Sequence, residues 1–107
     1  MPFQHQELAS GRWRTLSLLE QLGNIGSEVH KMVMRGRDEA GVRAAFHRAL
    51  ELIDLTLDDP RHRGRLKEIA RLRELLCDAA ADRTYGTTGE DIDRYLMQFA
   101  VAARLRR

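Results

Sequence analysis

The chain has 107 residues, of which 43% are hydrophobic and 32% charged, with a formal net charge of +2. That length suits one domain, residues 1–107, with a core of modest depth. The balance of apolar and charged residues excludes both a disordered chain and a membrane protein. Abundant Leu, Ala, Arg and Glu, with prolines only at Pro2 and Pro60, point to helices rather than sheet.

The first helix is predicted to begin between Glu7 and Thr15 and to run to about Arg35. Leu18, Leu22, Ile25, Val29 and Met32 recur at intervals of three and four and form its apolar stripe. Leu16, Leu19 and Val33 broaden the stripe, and Leu8 and Trp13 extend it or cover one end. Gly23 and Gly26 interrupt this segment, each at a cost of about 1 kcal/mol relative to Ala. Either a neighbouring backbone approaches closely there, or the helix stops near Leu22 and restarts around Asn24. The unbroken phase of the stripe favours a continuous helix.

Gly36 and Asp38 mark a break and a new helix start. Val42, Ala45, Phe46, Ala49, Leu50, Ile53 and Leu57 then form an amphipathic series that ends before Pro60. Leu52 and Leu55 fall off this stripe, which makes them candidates for a second packing surface or a subunit interface. Asp58-Asp59-Pro60 predicts a tight connection into a third helix starting at Pro60, since proline suits a first helical position. That helix carries Leu66, Ile69, Leu72, Leu75 and Leu76 and fades through residues 78–82. Tyr85 to Gly89 reads as loop. Thr87 with Glu90, or Thr88 with Asp91, has capping-box spacing, and a fourth helix buries Ile92, Tyr95, Leu96, Phe99, Ala100 and Ala103.

Four amphipathic segments joined by short turns must hide their stripes against one another. The expected fold is therefore an all-α, antiparallel, up-and-down four-helix bundle. No apolar run approaches the roughly 20 residues needed to cross a bilayer. The N-terminal segment also lacks the layout of a signal peptide, so a cytoplasmic protein with no membrane partner is expected. Cys77 is the sole cysteine and reads as a small buried thiol rather than a disulfide or metal ligand.

No cofactor, metal or catalytic signature is found. Paired metals in bundles need Glu-x-x-His pairs, and none occurs; Asp59 and His62 have the spacing but straddle Pro60, and His47 with Glu51 is a single pair. The helical RNases known as HEPN proteins require an Arg five residues before a His, which His5, His30, His47 and His62 all lack. Cys77 and the serines have no nucleophile elbow or linked base. Glu51, Asp54 and Asp58 read as a solvated acidic face.

Positive charge, in contrast, crowds into Arg61, Arg63, Arg65 and Lys67, followed by Arg71. Cations at a helix start oppose its dipole by a few tenths to about 1 kcal/mol each. Asp58 and Asp59 compensate if the cluster is structural. If it is functional, Arg63, Lys67 and Arg71 form a ridge toward an acidic protein or a structured nucleic acid, joined by Arg104, Arg106 and Arg107. Scarce aromatics argue against reading of single strands.

The stretch from Trp13 to Val29, together with size and helix pattern, resembles small uncharacterised prokaryotic four-helix-bundle proteins. More distantly, the architecture is similar to the 23S rRNA intervening-sequence proteins and the accessory variability determinant proteins of diversity-generating retroelements. That resemblance implies a homo-oligomeric ring, typically a pentamer, and nucleic-acid binding in the retroelement branch. The near-neutral charge of this chain departs from the strongly basic retroelement proteins.

The leading expectation is a non-enzymatic, self-associating interaction module, with Leu52, Leu55 and Leu105 as candidate interface residues. Binding of structured nucleic acid through the basic ridge is second. An enzyme whose groups converge only in the fold is third.

Overall fold

The computed structural model describes residues 11–81 and 86–105, all helical or irregular, with no strand among them. Leu8, Tyr85, Arg106 and Arg107 lie outside the described residues. A short 3-10 turn, Arg12–Thr15, precedes the first α-helix. Helix α1 spans Leu18–Met34, α2 Glu39–Leu57, α3 Leu66–Ala80 and α4 Gly89–Leu105.

Helix α1 starts later than the apolar spacing predicted, and its cap explains why. The Ser17 hydroxyl accepts from the Glu20 amide at 3.1 Å, while the Glu20 carboxylate accepts from the Ser17 amide at 2.9 Å. This reciprocal box satisfies two amides that a helix start leaves unpaired. Trp13 consequently sits outside the helix, on the 3-10 turn, and folds back into the core.

The helix does run unbroken through Gly23 and Gly26, and both glycines are where α4 touches it. A Cβ on Gly23 would lie 3.2 Å from Ala100 Cα. Absent side chains thus let two helix backbones meet, which offsets the helical penalty of glycine.

Asp38 caps α2 by accepting from the Gly41 amide, and Gly36 takes a left-handed φ of 57° in the turn before it. Beyond α2 the chain does not enter α3 at Pro60, as the sequence predicted. Pro60–Arg65 forms a separate 3-10 segment, capped by Asp59 and bent at His62. At the start of α4, the Thr88 hydroxyl accepts from the Asp91 amide, and the Asp91 carboxylate accepts in return from the Thr88 amide. These bonds hold the Asp91 carboxyl below its usual range.

Helix α1 is the centre of the fold, packing along α4 on one side and α2 on the other. Helix α3 closes against α2 and meets α4 only thinly. The shared interior comprises Leu22, Ile25, Val29 and Met32 of α1, Ala45, Ala49, Leu52 and Ile53 of α2, Ile69, Leu72 and Leu76 of α3, Ile92 and Leu96 of α4, and Trp13. Each large aliphatic side chain buried there contributes about 1.5–3 kcal/mol. Two expected core residues are displaced from it, since Leu66 is exposed at the start of α3 and Tyr95 is 50% exposed on α4. No helix among the described residues is long and apolar enough to cross a membrane.

Candidate functional site

Polar side chains are buried together where the N-terminal turn, the start of α1, the end of α2 and the 3-10 segment meet. The Trp13 indole donates to the Thr56 hydroxyl at 3.1 Å, and Thr56 donates onward to the Leu52 carbonyl. The Gln21 amide nitrogen donates to the Trp13 carbonyl at 2.9 Å and to Asp59 at 3.3 Å. Its amide oxygen therefore faces His62 Nε2 at 2.9 Å, an arrangement that requires Nε2 to carry the proton.

Asp59, only 2% exposed, is held by Arg61, whose guanidinium reaches it at 2.7 Å and also donates to the Leu16 carbonyl. Hydrogen bonds from the Arg61 side chain, then from its backbone amide and Gln21, hold the Asp59 carboxyl far below the usual carboxylate range against the opposing effect of burial. The cluster seals an ionised carboxylate beneath a cation, and it ties the four segments together through side-chain hydrogen bonds. Its partners are mutual, and its chemistry is that of a structural clamp.

This clamp resolves much of the basic run. Arg61 belongs to it. Arg65 pairs with Glu68 at 3.4 Å and Arg71 with Glu74 at 3.0 Å. Arg63 lies on the 3-10 segment, so the four-residue spacing from Arg63 to Lys67 is not a helical register; only Lys67 and Arg71 share a face of α3. Arg63 and Lys67 are exposed and make no ion pair among the described residues. Arg104 is exposed on the last turn of α4.

The acidic residues of α2 likewise scatter. Asp54 pairs with Arg73 of α3 at 2.7 Å and Asp58 with Arg14 at 2.8 Å. Buried Glu28 joins α1 to Arg48 of α2 at 2.9 Å. Among the described residues no group of three or more His, Cys, Asp or Glu side chains is placed to hold a metal ion.

Of the expected interface leucines, Leu52 is 2% exposed and belongs to the interior, because the crowded contact with α1 turns that side of α2 inward as well. It is unavailable to a partner. Leu55 is half-buried against the core, whereas Leu105 is 80% exposed. Sequence reasoning missed the neighbours of Leu105: Met97 and Val101, each 42% exposed, precede it at four-residue intervals on α4. Their spacing was the available signal, a second apolar stripe out of phase with Ile92 and Leu96.

The thin contact between α3 and α4 adds a groove of about 380 Å³, whose lining includes Leu18, Leu22, Ile69, Leu72, Tyr95 and Phe99. Tyr95 and Phe99 stack edge-on along it, 5.2 Å between centroids. The chain matches no protein-family model, no curated protein and no solved structure.

Proposed function

We propose that this protein is a non-enzymatic helical-bundle module of the cytoplasm that self-associates through α4 and the adjoining groove. The observation that carries this reading is the exposed apolar surface on α4: Met97, Val101 and Leu105 stand in water at four-residue intervals, on the side of the helix away from buried Ile92 and Leu96, while half-exposed Tyr95 borders the groove. Contiguous apolar surface of this kind marks a contact site. The four helices are read as an antiparallel, up-and-down bundle. The short link Arg35–Asp38 between α1 and α2 supports that order, since short loops join antiparallel neighbours.

Size-exclusion chromatography with light scattering tests the proposal. The wild-type chain is expected to elute as an oligomer rather than as a single chain of 12.3 kDa. A mass of one chain at high micromolar concentration removes the reading.

The second reading, binding of structured nucleic acid, is favoured by Arg63 and Lys67, which are exposed without ionic partners among the described residues. Local pairing of Arg65 and Arg71 with glutamates weakens it. A gel-shift titration against duplex and hairpin RNA and DNA at low salt decides it, with K67E and R63E abolishing any shift that is real.

A further inference from the structure

Two charges of helix α4 that form no ion pair among the described residues are placed symmetrically along it. Glu90, Met97 and Arg104 stand seven residues apart, which is two helical turns, so the three share one stripe of the helix surface. All three are exposed, and Val101 and then Leu105 lie to one side of the same stripe, about 40° and 80° round the helix from Met97. Neither Glu90 nor Arg104 forms an ion pair within the chain among the described residues. The acidic end of α4, Glu90 and Asp91, thus lies about four turns from its basic end, Arg104, with Met97 midway between Glu90 and Arg104.

We infer that the partner of this face is a second copy of the same helix, packed antiparallel about a two-fold axis at Met97. The inference rests on the proposed self-association and gives it a register. A two-fold at position 97 sets Glu90 of each copy opposite Arg104 of the other, because the two residues are equally distant from the axis. Both ion pairs form at once. Met97 then meets its own counterpart, and Val101 lies over the opposite helix near Asp93 and Arg94.

A parallel pair would instead juxtapose like charges, Glu90 with Glu90 and Arg104 with Arg104. The antiparallel order also opposes the two helix dipoles favourably. Such an interface is isologous and closes on itself. It places the ion pairs at the rim, where they select orientation and register more than they add affinity.

Two experiments on the full chain test the inference. The first is a charge-swap cycle followed by sedimentation equilibrium. E90R and R104E each place like charges at both rims and are expected to weaken the dimer about tenfold, whereas the double variant E90R/R104E restores it to within about threefold of wild type. Circular dichroism confirms that the helix content is unchanged.

The second uses single cysteines in a C77A background. M97C is expected to give a disulfide-linked dimer on mild oxidation. V101C is not, because its two copies sit about 12 Å apart along the helix axis at 1.5 Å per residue, beyond the reach of a disulfide. An oligomer whose mass ignores every charge variant, that contains an odd number of chains, or that links through V101C rather than M97C overturns this register while leaving self-association standing. A wild-type chain that is monomeric throughout overturns both.

Discussion

A Cβ placed on Gly26 of α1 would stand 3.0 Å from the Cβ of Leu96 on α4. Leu96 is fully buried and its Cβ is fixed to the backbone, so it has little room to yield. The pairing defines how closely the two helices approach. Gly26→Val is therefore expected to lower unfolding stability by about 2–3 kcal/mol through overpacking, despite the better helical conformation of the new residue. Urea denaturation measures it; an unchanged midpoint would mean that the helices do not meet there.

Thr56 accepts the only indole N–H of the protein. Thr56→Val keeps the shape and removes the acceptor, leaving a buried donor unsatisfied at a cost of about 1–3 kcal/mol. Because Trp13 is the sole tryptophan, its fluorescence follows both the loss of the bond and the unfolding transition.

Asp59 gives the fold an acid-sensitive component. Its folded-state pKa lies below the unfolded value of about 3.9, so its stabilising contribution is fully present above that value. The contribution is lost as pH falls toward and through the folded value. Stability measured from pH 6 downward is expected to fall below about pH 4 in the wild type. Asp59→Asn, which cannot ionise, should be less stable by about 1–3 kcal/mol at neutral pH and should show a shallower acid limb. An identical acid limb in wild type and variant would contradict the clamp.

Salt pairs on the surface make the opposite prediction. Arg65 with Glu68 and Arg71 with Glu74 are exposed pairs at three-residue spacing. Exposed pairs contribute about 0–1 kcal/mol and are screened by salt. Glu74→Gln should shift the thermal midpoint by no more than a degree or two, and less at high salt.

The four helices were legible because their apolar residues repeat at helical intervals, and the two glycines kept that phase. What was hidden depended on contacts between distant segments. Ser17 and Glu20 have capping-box spacing, yet the broad apolar stripe drew the predicted helix start past them toward the N-terminus. The third helix was expected at Pro60 because proline suits a first turn; the bonds from Asp59 to Arg61 and His62 to Gln21 hold 60–65 in a tighter coil instead. The basic run reads as one feature in the sequence, and the fold divides it among a buried clamp, local ion pairs and two cations, Arg63 and Lys67, that form no ion pair among the described residues. On α4, Tyr95 continues the Ile92 stripe, which predicts it inward; it stands instead half-exposed at the edge of the open groove between α3 and α4.

The central claim is that the apolar outer face of α4 joins copies of this chain. Sedimentation equilibrium on the wild type beside V101E and L105E tests it most directly, because both positions are exposed and neither substitution disturbs the interior. The wild type is expected to sediment as an oligomer and both variants as a 12.3 kDa monomer with unchanged helix content. A wild type that is monomeric at every concentration, or variants that assemble as it does, would contradict the account.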